Sequence, residues 1–130
     1  MNRTNIASVS DFEKFIGFSR AVRVGDYIHI SGTAPIGDDG KTAFTDDLYR
    51  QTLRCIEIMQ KAIEDAGGSL GDVVRTRVFL TDVSRWKEAA KAHGEVFQEI
   101  RPACTFLEVS GFIDPDWLVE MEADCIINLD

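Results

Sequence analysis

The segment from Trp117 to Ile127 alternates so regularly that it constrains the whole fold. In an extended strand, Trp117, Val119, Met121, Ala123, Cys125 and Ile127 point one way, while Leu118, Glu120, Glu122, Asp124 and Ile126 point the other. The first set demands a core on its side. The second is acidic but bracketed by leucine and isoleucine, and a purely solvated face would not need those apolar brackets.

The rest of the chain supplies partners for this strand. Ala21 to Val24 and Tyr27 to Gly32 read as strands joined at Gly25-Asp26, a dipeptide suited to a tight hairpin turn. Pro35 and Gly37-Asp38-Asp39-Gly40 mark a loop reaching about Phe44. Thr45 or Asp46 is positioned to cap a helix with an acidic first turn, whose Thr52, Cys55, Ile56, Met59, Ile63 and Ala66 recur at steps of three and four. Gly67-Gly68 ends it, and Val73 to Thr81 is β-branched and alternating. A second helix, starting at Ser84 or Asp82, carries Trp86, Ala89, Ala90, His93, Phe97 and Ile100 on one face until Pro102 forbids continuation. Cys104 to Ser110 forms the next strand, and the loop Phe112 to Asp116 leads into the last one.

The order ββαβαββ describes an α+β fold: one mixed sheet with two helices on one face, in a single domain spanning residues 1–130, with the first 16 or so loose. The opposite face then carries Arg75 and Arg77 alongside Val73 and Phe79, next to the acidic set of the final strand. Interleaved Phe79, Leu118 and Ile126 imply that a further subunit packs there.

Charge and cysteine usage exclude several classes. Lys and Arg total 14 against 22 Asp and Glu, and a net charge of −8 repels a phosphate backbone, so nucleic acid is not an expected partner. Met1 to Ser10 has no apolar leader and no run is long enough to span a membrane, which points to the cytosol. Cys55, Cys104 and Cys125 form no C-x-x-C pair and read as reduced thiols, and two histidines far apart suggest no metal site.

Four strings are more specific than any of these patterns: VGDYIHISG (residues 24–32), EDAGGSLGDVVRTRVFLTDVS (64–84), RPACTFLEV (101–109) and LVEMEADCI (118–126). Together they resemble the RidA/YjgF superfamily, also labelled endoribonuclease L-PSP, from about Gly17 to Ile127. The resemblance implies a chorismate-mutase-like fold, a homotrimer whose sheets face a central core, and ligand clefts between subunits. It further implies cofactor-free hydrolysis of small imines and enamines to a keto acid and ammonia. In this chain the cleft would include Phe18, where tyrosine is usual, with Ser31, Gly32, Cys104 and Glu120. Ala90 stands where the deaminases often have asparagine. Cys104 is the main departure. The deaminases carry arginine after Pro-Ala, forked onto the substrate carboxylate, and Arg101 is the nearest replacement.

Glu120 is the leading catalytic candidate, because a carboxylate on a largely buried strand face is paired, neutralised or functional, and the family's equivalent orients a water. Its structural alternative is an ion pair with Arg75 or Arg77 at a subunit interface. His93 is either a satisfied core histidine or a neighbour of the cleft that serves Cys104 as base, and Cys104 is either a small packed residue or a nucleophile. Ser31 and Gly32 end a strand where a ligand has room to approach, or simply lead into Pro35. The expected activity is an imine or enamine deaminase or related C–N hydrolase. A ligand-binding or regulatory trimer without catalysis is the alternative, and RNA cleavage a more distant one.

Overall fold

In the computed structural model, which describes residues 2–8 and 10–127, the alternating terminal segment is strand β6 (Val119–Ile126) inside a six-stranded sheet. The other elements are β1 (Arg3–Ile6), α1 (Asp11–Ile16), β2 (Ala21–Val24), β3 (Tyr27–Thr33), α2 (Leu48–Asp65), β4 (Val73–Leu80), α3 (Trp86–Phe97) and β5 (Ala103–Glu108). The sheet order is β1-β2-β3-β6-β4-β5. Among the described residues only β4 and β5 run parallel, joined through α3 as a parallel pair requires, so the sheet is mixed and the fold α+β.

The apolar face of β6 is buried as its alternation predicts, with Val119, Met121, Ala123 and Cys125 all at most 1% exposed. Against it lies α2, whose expected stripe from Thr52 to Ala66 is buried throughout. The helix begins one residue later than expected. Asp47 is its N-cap, its carboxylate accepting from Arg50 N at 3.0 Å, while Asp46 stays in the loop at φ +64°. Gly67, at φ +94°, turns the chain out of α2, and a Cβ at Gly68 would lie 2.9 Å from Ile28 Cδ1, so the exit packs directly on the sheet.

Several expectations need correction. Arg3–Ile6 and Asp11–Ile16 are not a loose lead: β1 pairs with β2 from Arg3↔Val24 to Ile6↔Ala21, and α1 runs from its Ser10 cap to Gly17 at φ +91°. The added strand satisfies backbone groups that β2 would otherwise leave open, a gain invisible in the polar local sequence. Met1, Val9 and residues 128–130, part of the expected domain, lie outside the described residues. On α3 the buried residues are Ala89, Ala92 and Phe97, and Trp86 is 47% exposed because a short turn, Val83–Arg85 capped by Asp82, precedes the helix and shifts its stripe.

Val73 does not share a face with Arg75. The register between β4 and β6 slips between these two positions, so Val73 enters the core while Arg75, Arg77 and Phe79 stand on the opposite face. There Arg77 Nη1 lies 3.4 Å from Glu122 and 3.6 Å from Asp124, and Asp124 also meets His29 Nδ1 at 2.9 Å. Among the described residues no helix is long and apolar enough to cross a membrane.

Candidate functional site

A second irregularity, on β3, creates the site. Ile30 pairs with Ala123 and Thr33 with Met121, so Ser31 and Gly32 together face the single residue Glu122. Because Gly32 has no side chain, the carboxylate of Glu120 reaches in, with Oε1 3.2 Å from where a Gly32 Cβ would stand. Glu120 sits opposite Phe79 of β4 and lines a pocket of about 300 Å³ with Gly32, Phe79, Val109, Gly111, Phe112 and Glu122. None of these lining residues is basic. Ser31 is tied down, its N–H donating to Arg20 O at 3.1 Å and its hydroxyl to Ser19 O at 2.6 Å.

Burial raises the pKa of Glu120 above the ordinary carboxylate range, the nearby Arg20 guanidinium opposes that shift, and Glu122 adds to it. Within the chain Arg77 pairs with Glu122 and Asp124 rather than with Glu120. The charge facing Glu120 is Arg20, which sequence reasoning missed. Arg20 is only 8% exposed, its Nη2 donates to Gly32 O, and its guanidinium lies 5.6 Å from the centroid of Phe18. The one local signal, an arginine beside the apolar run Ala21-Val22, does not distinguish a buried guanidinium from a solvated one.

The remaining candidates form a second group at the far edge of the sheet. His93 Nε2 lies 2.8 Å from Thr76 Oγ1, its ring 4.6 Å from Phe97 and 6.1 Å from Phe106, and burial lowers its pKa. Ala90 is one helical turn away on α3, half-buried. Cys104 is exposed on β5 opposite Thr76 in the ladder, and its thiol makes no hydrogen bond to His93 or any other described residue. Arg101 takes a left-handed turn (φ +56°), its N–H donating to Phe97 O at 2.8 Å, and its exposed guanidinium has no partner among the described residues. Cys55, by contrast, is fully buried and its thiol is pushed up by desolvation, which makes it inert.

Thus one chain unites Phe18, Ser31, Gly32 and Glu120 around Arg20, but holds Ala90, His93, Arg101 and Cys104 apart from them. Thr76, beside Cys104, and Phe79, beside Glu120, are three residues apart on β4, hence about 10 Å distant and on opposite faces. A larger hollow of about 650 Å³, between the loops near Lys41 and Asp114, contains none of the candidate residues. No described cluster of three or more His, Cys, Asp or Glu is placed to hold a metal ion.

Comparison with known proteins identifies the family of this fold. The model of the family described as Endoribonuclease L-PSP matches residues 10–127. A RutC family protein of Pyrococcus abyssi is 37% identical over 106 residues, covering 82% of this chain and 83% of its own. Among solved structures, a member of the YjgF/YER057c/UK114 family from Mycobacterium tuberculosis is 40% identical with a TM-score of 0.88, over 97% of this chain and 100% of that one. The RidA protein of an Antarctic Psychrobacter is 28% identical with a TM-score of 0.78, over 95% and 94%.

Proposed function

Since the chain belongs to the endoribonuclease L-PSP family, the YjgF/RidA superfamily, we propose that it is a cytosolic homotrimer that hydrolyses a small imine, enamine or related C–N compound. The observation that carries this reading is the Glu120 carboxylate, held against Gly32 in a pocket walled by Phe79 and Phe112. Its ionised form orients a water toward the C=N carbon. The water's oxygen bonds to that carbon, its proton passes through Glu120 to the nitrogen, and the resulting carbinolamine expels ammonia to leave a carbonyl. No cofactor takes part in these steps.

The two separated groups of residues support a site shared between subunits: the Glu120 pocket of one copy faces the Cys104 edge of the next. Trimer formation also covers Phe79, Leu118 and Ile126 on the open sheet face, as the mixed chemistry of β6 demands. With no basic lining residue in the pocket and cysteine at position 104, the favoured substrate lacks the carboxylate that an arginine fork would hold.

Cys104 also favours a second reading, a trimer that binds such ligands without turning them over. RNA cleavage is the least supported, because the pocket presents Glu120 and Glu122 and the chain carries a net charge of −8. The deciding experiment supplies imines generated in situ to the wild-type protein and to Glu120→Gln, following carbonyl and ammonia release, with sedimentation reporting the assembly. Hydrolysis that disappears in intact Glu120→Gln trimers supports the enzyme. Saturable binding without release supports the ligand-binding reading, and equal turnover by the variant removes Glu120 from the mechanism.

A further inference from the structure

Glu120 has to be ionised to orient water, yet its surroundings work against ionisation. Phe79, Val109 and Phe112 wall the pocket, and Glu122 adds a second negative charge. Arg77, the nearest cation on β4, is engaged with Glu122 and Asp124. From α2, the buried thiol of Cys55 contributes no positive charge.

That leaves Arg20, which meets Gly32 at its carbonyl. Its Nη2 holds the Gly32 carbonyl while Glu120 Oε1 lies 3.2 Å from where a Gly32 Cβ would stand, so both groups converge on the same residue without a side chain. Phe18 lies near the guanidinium at 5.6 Å, and α1 brings in buried Glu13, whose charge acts on Arg20 more strongly than that of Glu120. Glu13 is itself occupied by the N–H and hydroxyl of Ser8. Arg20 Nε is buried and without a partner, the sole such side-chain atom among the described residues. A guanidinium carries that desolvation cost usefully when its charge acts on a neighbour rather than forming a closed pair.

We infer that Arg20 is a positioning residue for Glu120: anchored on the Gly32 carbonyl, it keeps the carboxylate ionised and pressed against Gly32 in an otherwise apolar, acidic pocket. It does not touch substrate, and its action is electrostatic through the one-residue gap. The role rests on Glu120 being the water-orienting group, but the interaction itself is measurable without any substrate.

The test is a pH titration of the Glu120 side-chain carboxyl by carbon-13 NMR in the full-length protein, identified by its loss in Glu120→Gln. In Arg20→Gln the midpoint is expected to move upward by about one pH unit or more, whereas Arg20→Lys, which keeps the charge, stays near the wild type. Because Arg20→Gln leaves Glu13 buried without its counter-charge, the double variant Glu13→Gln/Arg20→Gln provides a version with neither charge and is expected to show the same upward move. An unchanged midpoint in either folded variant overturns the inference, as does a downward one. If the midpoint moves but wild-type protein hydrolyses no imine, the Arg20–Glu120 interaction stands and the hydrolase reading fails. If imines are hydrolysed and the midpoint does not move, the reverse holds.

Discussion

The buried hydroxyl of Thr76 lies 2.8 Å from Nε2 of His93, which joins α3 to β4 through an imidazole that contacts Phe97 and Phe106. Burial lowers the His93 pKa, so the folded protein favours the neutral ring. In the unfolded chain the ring takes up its proton at about pH 6.5, before the folded one does. The resulting stability is therefore fully present above that value and is lost as pH falls through the lowered folded value. His93→Gln keeps a partner for Thr76 but does not titrate. Its melting temperature is expected to fall less than that of the wild type between pH 7 and pH 5, as followed by calorimetry.

Gly32→Ala tests the close approach at the pocket. The new methyl would stand 3.2 Å from Glu120 Oε1, the end of a side chain able to move a few tenths of an ångström, and Gly32 does not occupy the left-handed region. Stability should change by less than about 1 kcal/mol, while displacing the carboxylate should reduce imine turnover on the order of tenfold or more. Thermal melts and a coupled ammonia assay separate the two effects.

Cys104→Arg restores the group that the deaminases carry at this position. The site is exposed on β5, so a long side chain fits without repacking the core. Turnover of 2-imino acids is expected to rise on the order of tenfold or more, with little change for imines lacking a carboxylate. Equal gains on both substrate types would remove the carboxylate fork as the explanation.

Phe97→Ala addresses the helix layer. Phe97 is 2% exposed and stacks on His93, so its loss leaves a cavity between α3 and the sheet. A loss of about 3–5 kcal/mol is expected in urea or thermal unfolding, with the Thr76 to His93 bond weakened as its aromatic wall goes.

Patterns that repeat within one element were legible. The two faces of β6 and the stripe of α2 needed only periods of two and about 3.6 residues, and the strings around Gly32 and Glu120 pointed to the family that the comparisons support. Glu120 itself was visible as a carboxylate on a strand otherwise built for burial. Features arising from pairing between elements were not. Nothing local in Val73-Val74-Arg75 reveals the slip that turns Val73 inward, and the polar Arg3–Ile6 segment shows no sign of its partner β2.

The sequence alone determined that this chain builds a sheet with one helix-covered face and one face of mixed charge, because side-chain alternation is a property of each strand by itself. Which cation meets Glu120 was decided only in three dimensions. Arg75 and Arg77 lie nearer in sequence, but ladder register sends Arg77 to Glu122 and Asp124, while the bulge at Ser31-Gly32 opens the gap across which Arg20, a hundred residues away, faces Glu120. Register and bulges depend on the summed pairing of whole strands, and no single stretch of the chain contains that sum.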